Sequence, residues 1–239
     1  MKEIDKAIES LEQRVYDEAF EYIGIESSDK NKLMQLGHIF HFLGKLKQYT
    51  HGLRVTCYTI KMMDYLGIDN IDYRKSFFIA ALLHDHGKIR FLDLVDKENN
   101  FSKQDKELIK GHVEVGVNML RGIDSISMAI IERHHTYQKD SYPKILTTLE
   151  TPEVTYSSKN LGMLDYWDRA LIKSESKESA IEKILSEYGN LDFSYSGNIF
   201  PKSSRTGKEL INELYEAKIF GHENPLNPFQ EPNSFIFKR

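Results

Sequence analysis

Apolar residues recur along the chain with the spacing expected of helix faces. Residues 3–22 carry apolar side chains at successive steps of four, three and four positions, which places them on one helix face. A second helix is predicted from Asp29 to Leu46, and a third segment, residues 51–66, ends at Gly67, a residue typical of helix C-termini. The apolar positions of the first helix are Ile4, Ile8, Leu11 and Val15.

The segment DYRKSFFIAALLHD, residues 72–85, is so apolar that it predicts a buried helix, closed by Gly87. Further helices are predicted near residues 124–135, 158–173 and 176–188. Strand patterns are scarce, and both NIFPKSS and the chain after residue 221 have an irregular pattern. The pattern as a whole predicts an all-α protein.

Two capping boxes are predicted to begin helices in the second half of the chain. Ser102 with Asp105 opens a helix predicted to extend to about Leu120, and Thr206 with Glu209 opens the last predicted helix. These signals divide the chain into three parts. They are an N-terminal helical extension (1–45), a helical domain (46–190) and a partly irregular C-terminal appendage with one helix (191–239).

Seven titratable residues are predicted to lie on buried helix faces. His84 follows Phe77 by seven positions and His112 follows Leu108 by four, so both continue apolar stripes. Buried imidazoles and carboxylates are costly unless they are paired or bound to metal. One such residue is ordinary, but a set spread over five helices predicts a metal site. The set is His51, His84, Asp85, His112, His134, His135 and Asp165.

This ligand set indicates two ions rather than one. Imidazole nitrogens bind iron, manganese, zinc, nickel and cobalt, and one carboxylate can bridge two ions. Seven protein ligands exceed what one open catalytic ion accepts, so the set fits two ions that share a carboxylate. Two such ions lower the pKa of a shared water and bind a phosphoryl oxygen. The richness in imidazole favours iron or manganese, and the ligand types leave zinc, nickel and cobalt open.

Charge and composition narrow the range of partners. The net charge of −4 gives no global electrostatic reason to bind nucleic acid or an anionic membrane. No apolar run approaches the roughly 18 residues that span a bilayer. The lone Cys57 excludes an intramolecular disulfide and is typical of a small core residue. Because the charged N-terminus also lacks a signal core, we expect a cytoplasmic protein.

The order of these residues and the motifs around them resemble the HD superfamily of metal-dependent phosphohydrolases. Within it they are most similar to the HD-GYP branch, which includes cyclic di-GMP phosphodiesterases. HGLRV (51–55) resembles that branch's His-Ser-x-Arg-Val, AALLHDHGKIRF (80–91) its HD-x-GK turn, and LDYWDRAL (164–171) its Asp-x-x-Asp-Ala-Leu. The resemblance covers about residues 51–172 and implies an HD-domain helical bundle.

The resemblance also implies roles for individual residues. Asp85 would bridge the two ions, with one side completed by His51, His84 and Asp165 and the other by His112, His134 and His135. Lys88 would meet a phosphate oxygen and stabilise charge in the transition state, so Lys88 and Asp85 are the expected catalytic residues. The expected substrate-binding residues are Lys88, Arg54, Lys97 and Tyr142.

Several assignments stay open at this point. Asp168 is an alternative ligand to Asp165, because it extends the stripe of Leu161, Leu164 and Leu171. His86 is interpreted either as a supporting or substrate-facing residue or as an exposed one. His38 and His41 are interpreted as structural.

The function implied is hydrolysis of a phosphoester in a nucleotide or cyclic dinucleotide. The loop after the doubled histidine departs from the branch pattern His-His-Glu-x-x-Asp-Gly-x-Gly-Tyr-Pro, because HHTYQKDSYP lacks the Glu and both glycines. This departure motivates a second hypothesis, a non-catalytic signalling domain that binds metal and nucleotide. A third hypothesis is a di-iron oxygenase similar to myo-inositol oxygenase. We also expect the helices before His51 to contact a partner in a homodimer.

Overall fold

The computed structural model describes residues 19–21, 23–25, 27–97 and 101–220. Within these ranges it contains helices, a 3-10 helix (His86–Phe91) and two isolated β-bridges but no strand, so the all-α prediction is confirmed. The helices are α1 (Ser27–Gly37), α2 (Ile39–Phe42), α3 (Leu46–Tyr65), α4 (Ile71–Leu83), α5 (Leu92–Val95), α6 (Lys103–Ile109), α7 (His112–Met119), α8 (Ser125–Arg133), α9 (Pro152–Ile172), α10 (Lys177–Tyr188) and α11 (Gly207–Glu216).

Side-chain caps define where several helices begin. Both predicted capping boxes are confirmed, at Ser102 for α6 and at Thr206 for α11. Helix α9 begins earlier than predicted, because the Thr151 side chain accepts a hydrogen bond from the backbone of Val154 and Pro152 occupies the first turn.

Two predicted helices are interrupted. The one predicted from Asp29 to Leu46 is divided into α1, α2 and the start of α3, with Gly44 at a φ of +69° after α2. The one predicted to end near Leu120 is divided into α6 and α7 at Gly111, where a Cβ would lie 3.2 Å from a carbon of the Phe91 ring. These turns reorient the chain before α3 and α7.

The structure also changes where a predicted helix ends. The buried helix α4 ends at Leu83, before Gly87, because the 3-10 helix follows directly after His84 and Asp85. Most of the helix predicted over residues 3–22 and the tail after residue 220 lie outside the described residues.

Helices α3, α4, α8 and α9 pack around one core. The indole of Trp167 on α9 is fully buried, stacks on Phe220 with ring centroids 4.6 Å apart, and donates a hydrogen bond to the Phe220 carbonyl oxygen at 3.0 Å. The segment after residue 190 therefore packs against α9 in the same hydrophobic cluster. Cys57 is buried in this cluster, as predicted. None of the helices in the described ranges has the length and apolar character needed to cross a membrane.

Candidate metal centre

The seven residues predicted as ligands converge in one buried cluster. They come from α3, the turn after α4, α7, the turn after α8, and α9. They form two groups of four that share Asp85, and within each group the ligand atoms lie within 4.8 Å of one another. One group is Asp85, His112, His134 and His135, and the other is His51, His84, Asp85 and Asp165.

The shared carboxylate presents one oxygen to each group. Oδ1 of Asp85 lies 3.3 Å from Nε2 of His112. Oδ2 lies 3.4 Å from Nε2 of His51 and 3.6 Å from Nε2 of His84. Asp85 therefore occupies the position of a bridging carboxylate between two neighbouring groups of donors.

Backbone carbonyls orient three of the imidazole rings. Nδ1 of His84, His112 and His134 lies 2.8, 2.7 and 2.6 Å from the carbonyl oxygen three residues earlier in the chain. A proton on Nδ1 that is donated to the carbonyl leaves the lone pair of Nε2 free. These three rings therefore direct an acceptor nitrogen into the cluster.

Most of the inward-facing ligand atoms lack hydrogen-bond partners among the described residues; the exception is Oδ2 of Asp85. Buried polar atoms without partners are costly, and a set of nitrogen and carboxylate donors of this kind fits divalent cations. The residues present therefore fit a metal centre. The unpartnered atoms are Nε2 of His51, His84, His112 and His134, both ring nitrogens of His135, Oδ1 of Asp85 and both oxygens of Asp165.

Electrostatics favours unprotonated ligand atoms at both aspartates and at His112, His134 and His135, but not at His51. Burial raises the pKa of the Asp85 and Asp165 carboxyls, but cationic neighbours outweigh it and hold both pKa values well below the usual range. Burial, with His84 and His112 nearby, lowers the pKa of His134 to about 3. Burial also lowers the pKa of His51, but contacts with Asp165, Asp168 and Asp85 raise it to about 10. An ion at Nε2 of His51 therefore has to displace a proton.

Two glycines allow backbone segments to approach the ligand residues closely. A Cβ on Gly87 would lie 1.8 Å from the carbonyl oxygen of His112. A Cβ on Gly162 would lie 2.0 Å from the carbonyl oxygen of His134. The 3-10 helix and α9 therefore reach their positions beside these histidines only because both residues lack a side chain.

Asp168 supports the cluster from outside. Its Oδ2 lies 2.7 Å from Nδ1 of His51, and its two oxygens accept hydrogen bonds from Arg54 at 2.6 and 2.8 Å. Asp168 thus contacts the ring nitrogen of His51 that does not face the other ligands. Between the two aspartates, the structure places Asp165 among the candidate ligands and Asp168 behind them.

A family model described as the HD domain matches residues 48–189, which is more than half of the chain. The protein belongs to the HD domain family. Members of this family are generally metal-dependent phosphohydrolases, and the matched residues include the adjacent pair His84 and Asp85. Comparisons with curated proteins and with solved structures returned no match.

The expected catalytic and substrate-binding residues of this HD domain occupy different surroundings. The Lys88 ammonium forms an ion pair with Oδ2 of Asp85, so it lies at the metal centre. The Tyr142 ring stacks on His135 with centroids 4.5 Å apart. Lys97 instead pairs with Asp105 at 2.9 Å, at the start of α6. Arg54 is buried against Asp168 and so supports His51, whereas the sequence predicts that it contacts substrate.

The loop that follows the doubled histidine of the HD domain is attached to α8 by Glu132. Its buried carboxylate accepts hydrogen bonds from the backbone N–H and the hydroxyl of both Thr147 and Thr148, at 2.5 to 3.0 Å. Burial raises the pKa of Glu132, but these bonds outweigh it and lower the pKa. The attachment holds the loop that carries Tyr142.

Two residues that contact the metal centre of this HD domain are not among the residues predicted from the sequence motifs. Gln48 donates a hydrogen bond to Oδ2 of Asp85 at 2.6 Å. Nη2 of Arg169 lies 2.8 Å from Oδ1 of Asp165 and 3.7 Å from Oδ2 of Asp85. Both lie one helical turn from a predicted ligand, Gln48 before His51 and Arg169 after Asp165, and this spacing is the signal available in the sequence.

His86, whose position the motif leaves undetermined, has a structural contact. Its Nε2 lies 2.5 Å from the carbonyl oxygen of Leu36, and its ring lies beside Phe40 with centroids 5.4 Å apart. Its buried imidazole therefore links the 3-10 helix to α1 and α2. His38, predicted to be structural, has its Nδ1 atom 2.9 Å from the Tyr49 hydroxyl.

Proposed function

We propose that this HD domain protein is a metal-dependent phosphodiesterase, similar to the HD-GYP branch, that holds two divalent ions and acts on a nucleotide or cyclic dinucleotide. One observation carries the proposal: Asp85 directs one oxygen to each of two groups of buried ligand atoms, most of which have no hydrogen-bond partner among the described residues. Two bound ions supply polarisation of a phosphoryl oxygen and a lower pKa for a water that they share.

The donor set supports iron or manganese as the ions. Five imidazoles and two carboxylates make a nitrogen-rich site of intermediate softness, and thiolate ligands are absent from both groups. In this proposal Asp85 is shared by both ions. His51, His84 and Asp165 complete one site, and His112, His134 and His135 complete the other.

Lys88 is the proposed residue for stabilising charge on the phosphate. Its side chain is largely buried beside Asp85, so its ammonium is already positioned next to the proposed bridging ligand. A preorganised cation in a site with little water stabilises developing negative charge more strongly than a solvated one. Tyr142, stacked on His135, would offer an aromatic face to a nucleobase at the edge of the second site. A substrate contact by Lys97 remains part of the proposal.

The test begins with elemental analysis of protein purified without added metal. We expect about two ions of iron or manganese per chain, and fewer in Asp85→Ala and in His112→Ala. Asp93→Ala, which changes an exposed aspartate on α5, is the matched control and should keep the ion content of the wild type. Protein that takes up no ion even in metal-replete buffer would contradict the proposal.

The reaction is tested with bis(p-nitrophenyl) phosphate and a panel of cyclic dinucleotides, on protein loaded with manganese or iron. Hydrolysis that falls on the order of 100-fold in Lys88→Met, at unchanged ion content, supports the proposed role of Lys88. Binding of a cyclic dinucleotide without turnover would instead support the non-catalytic signalling domain. Oxygen consumption by the di-iron form would support the oxygenase.

A further inference from the structure

Arg169 lies near the C-terminal end of α9 and directs its guanidinium toward the metal centre. Its Nη2 atom is buried and lies 2.8 Å from Oδ1 of Asp165 and 3.7 Å from Oδ2 of Asp85, yet it forms no hydrogen bond within the described residues. The side chain as a whole is 36% exposed. Arg169 therefore extends from solvent to the two carboxylates of the cluster.

The resemblance motif does not account for this residue. The family pattern reads Asp-x-x-Asp-Ala-Leu, whereas this chain reads Asp-Tyr-Trp-Asp-Arg-Ala-Leu over residues 165–171. Arg169 is thus an additional residue between Asp168 and Ala170. Its position one helical turn after Asp165 brings its side chain to the same helix face as that ligand.

The net charge of the pocket becomes positive when ions bind. Without ions, Asp85 and Asp165 are balanced by Lys88 and Arg169. Two divalent ions would add four positive charges, while neutral imidazoles compensate none of them. A pocket with such an excess of positive charge attracts a ligand that carries negative charge.

The same change removes the partners of Arg169. Oxygens of Asp85 and Asp165 that coordinate ions are no longer free to form an ion pair with the guanidinium, and the ions repel it. Arginine keeps its charge at any ordinary pH, and its planar fork matches two oxygens of a phosphate. Because the side chain is partly exposed, it is free to turn toward a ligand that enters from solvent.

Lys88 and Arg169 reach the same atom from different elements. The Lys88 ammonium contacts Oδ2 of Asp85 from the 3-10 helix, and the Arg169 guanidinium lies 3.7 Å from that oxygen on α9. We propose that Arg169 is a substrate-binding residue that, together with Lys88, binds a single phosphate group at the metal centre. This inference rests on the proposed phosphohydrolase function and adds a specific residue to it.

The test uses inorganic phosphate as the probe and the intact protein loaded with Mn²⁺. Phosphate binding is measured by calorimetry and by the broadening of the phosphate ³¹P resonance near Mn²⁺, and the manganese content is measured in parallel. We expect Arg169→Met to weaken phosphate binding about tenfold or more at unchanged manganese content. Arg169→Lys, which keeps the charge but not the fork, should recover part of the affinity.

Arg205→Met is the matched control. The Arg205 side chain has a similar exposure of 30% and pairs with Glu213 on α11, so its loss should leave phosphate binding unchanged. Wild-type affinity for phosphate in Arg169→Met would overturn the inference, since Arg169 would then serve only Asp165. Loss of manganese in that variant would overturn it as well.

Hydrolysis of bis(p-nitrophenyl) phosphate by the same samples separates the two proposals. If wild-type protein binds phosphate through Arg169 but hydrolyses no phosphoester, the inference stands and the proposed function fails. If it hydrolyses the diester and Arg169→Met retains both phosphate affinity and kcat/KM, the function stands and the inference fails.

Discussion

Asp168 lies 2.7 Å from Nδ1 of His51, on the ring nitrogen that does not face the other candidate ligands. The same carboxylate accepts two hydrogen bonds from the buried Arg54. A ligand histidine is oriented in this way by a carboxylate that is itself held in place. Asp168 therefore both orients the His51 ring and balances the charge of Arg54 behind the metal centre.

Replacing Asp168 with Asn should therefore have two separable effects. Metal affinity should fall by roughly 10- to 100-fold, because the His51 ring loses its orienting carboxylate. The free energy of unfolding should fall by about 3 kcal/mol, because the Arg54 charge stays buried without its partner. A chelator-competition titration measures the first effect and denaturant unfolding measures the second.

A double variant tests whether these effects are distinct. Asp168→Asn combined with Arg54→Met removes the unpaired charge, so stability should recover while metal affinity stays low. Asp64→Asn, which breaks the more exposed pair with Arg74, is the control and should change neither property appreciably. Full recovery of metal affinity in the double variant would contradict the orienting role of Asp168.

Removal of metal should destabilise the protein. Most of the inward-facing nitrogens and oxygens of the seven ligands have no hydrogen-bond partner among the described residues, so ions stabilise the folded state over the unfolded chain. At a free ion concentration near 100 times Kd, each site contributes about 2.7 kcal/mol. Thermal melting with Mn²⁺ and with a chelator measures the difference. In Asp165→Asn the response to Mn²⁺ should be smaller, and an unchanged response would argue against Asp165 as a ligand.

Gly87→Ala should destabilise the fold through the backbone. The new Cβ would lie 1.8 Å from the His112 carbonyl oxygen, and a backbone segment cannot move away as a flexible side chain can. We expect a loss of about 3 kcal/mol in denaturant unfolding. Gly52→Ala on α3 is the control, since its Cβ would approach only the Leu82 carbonyl oxygen, at 3.8 Å. That variant should gain about 1 kcal/mol from helix propensity, and equal effects in the two variants would refute the close-approach explanation.

Glu132→Gln should loosen the loop after the doubled histidine. The amide group replaces one accepting oxygen with a donor, so some of the four hydrogen bonds from Thr147 and Thr148 are lost, at a cost of about 2 kcal/mol. Hydrogen exchange at the amides of these two threonines should become faster. Glu107→Gln, in an exposed pair with Lys110, should leave their exchange unchanged. Unaltered protection in Glu132→Gln would show that other contacts hold the loop.

Helical spacing predicts the inward position of a histidine where the preceding core residue lies on the same helix, as with His134, four positions after the buried Ile130. The same argument gave His112 through Leu108, although Leu108 is half-exposed and lies on α6, before the break at Gly111. The residues at which helices begin and end were harder to predict from the sequence. The chain breaks at Gly111 beside the Phe91 ring, which lies twenty positions earlier in the chain, and no local pattern reveals this contact. Arg169 follows Asp165 by one helical turn, but its approach to Asp85 joins residues far apart in sequence and could not be predicted from this spacing. Arg54 was predicted to contact substrate because the sequence does not show that α3 packs on α9. That packing buries Arg54 against Asp168.

The stacking of Trp167 on Phe220 has a consequence for synthesis of the protein. Trp167 lies two residues after Asp165, and its indole is covered by a residue that emerges from the ribosome more than fifty positions later. A nascent chain that already contains every candidate ligand still lacks Phe220, which packs against the helix that carries Asp165. Maturation of the metal pocket is therefore expected to be a late event, timed by the arrival of the segment that carries Phe220 rather than by the appearance of the last ligand.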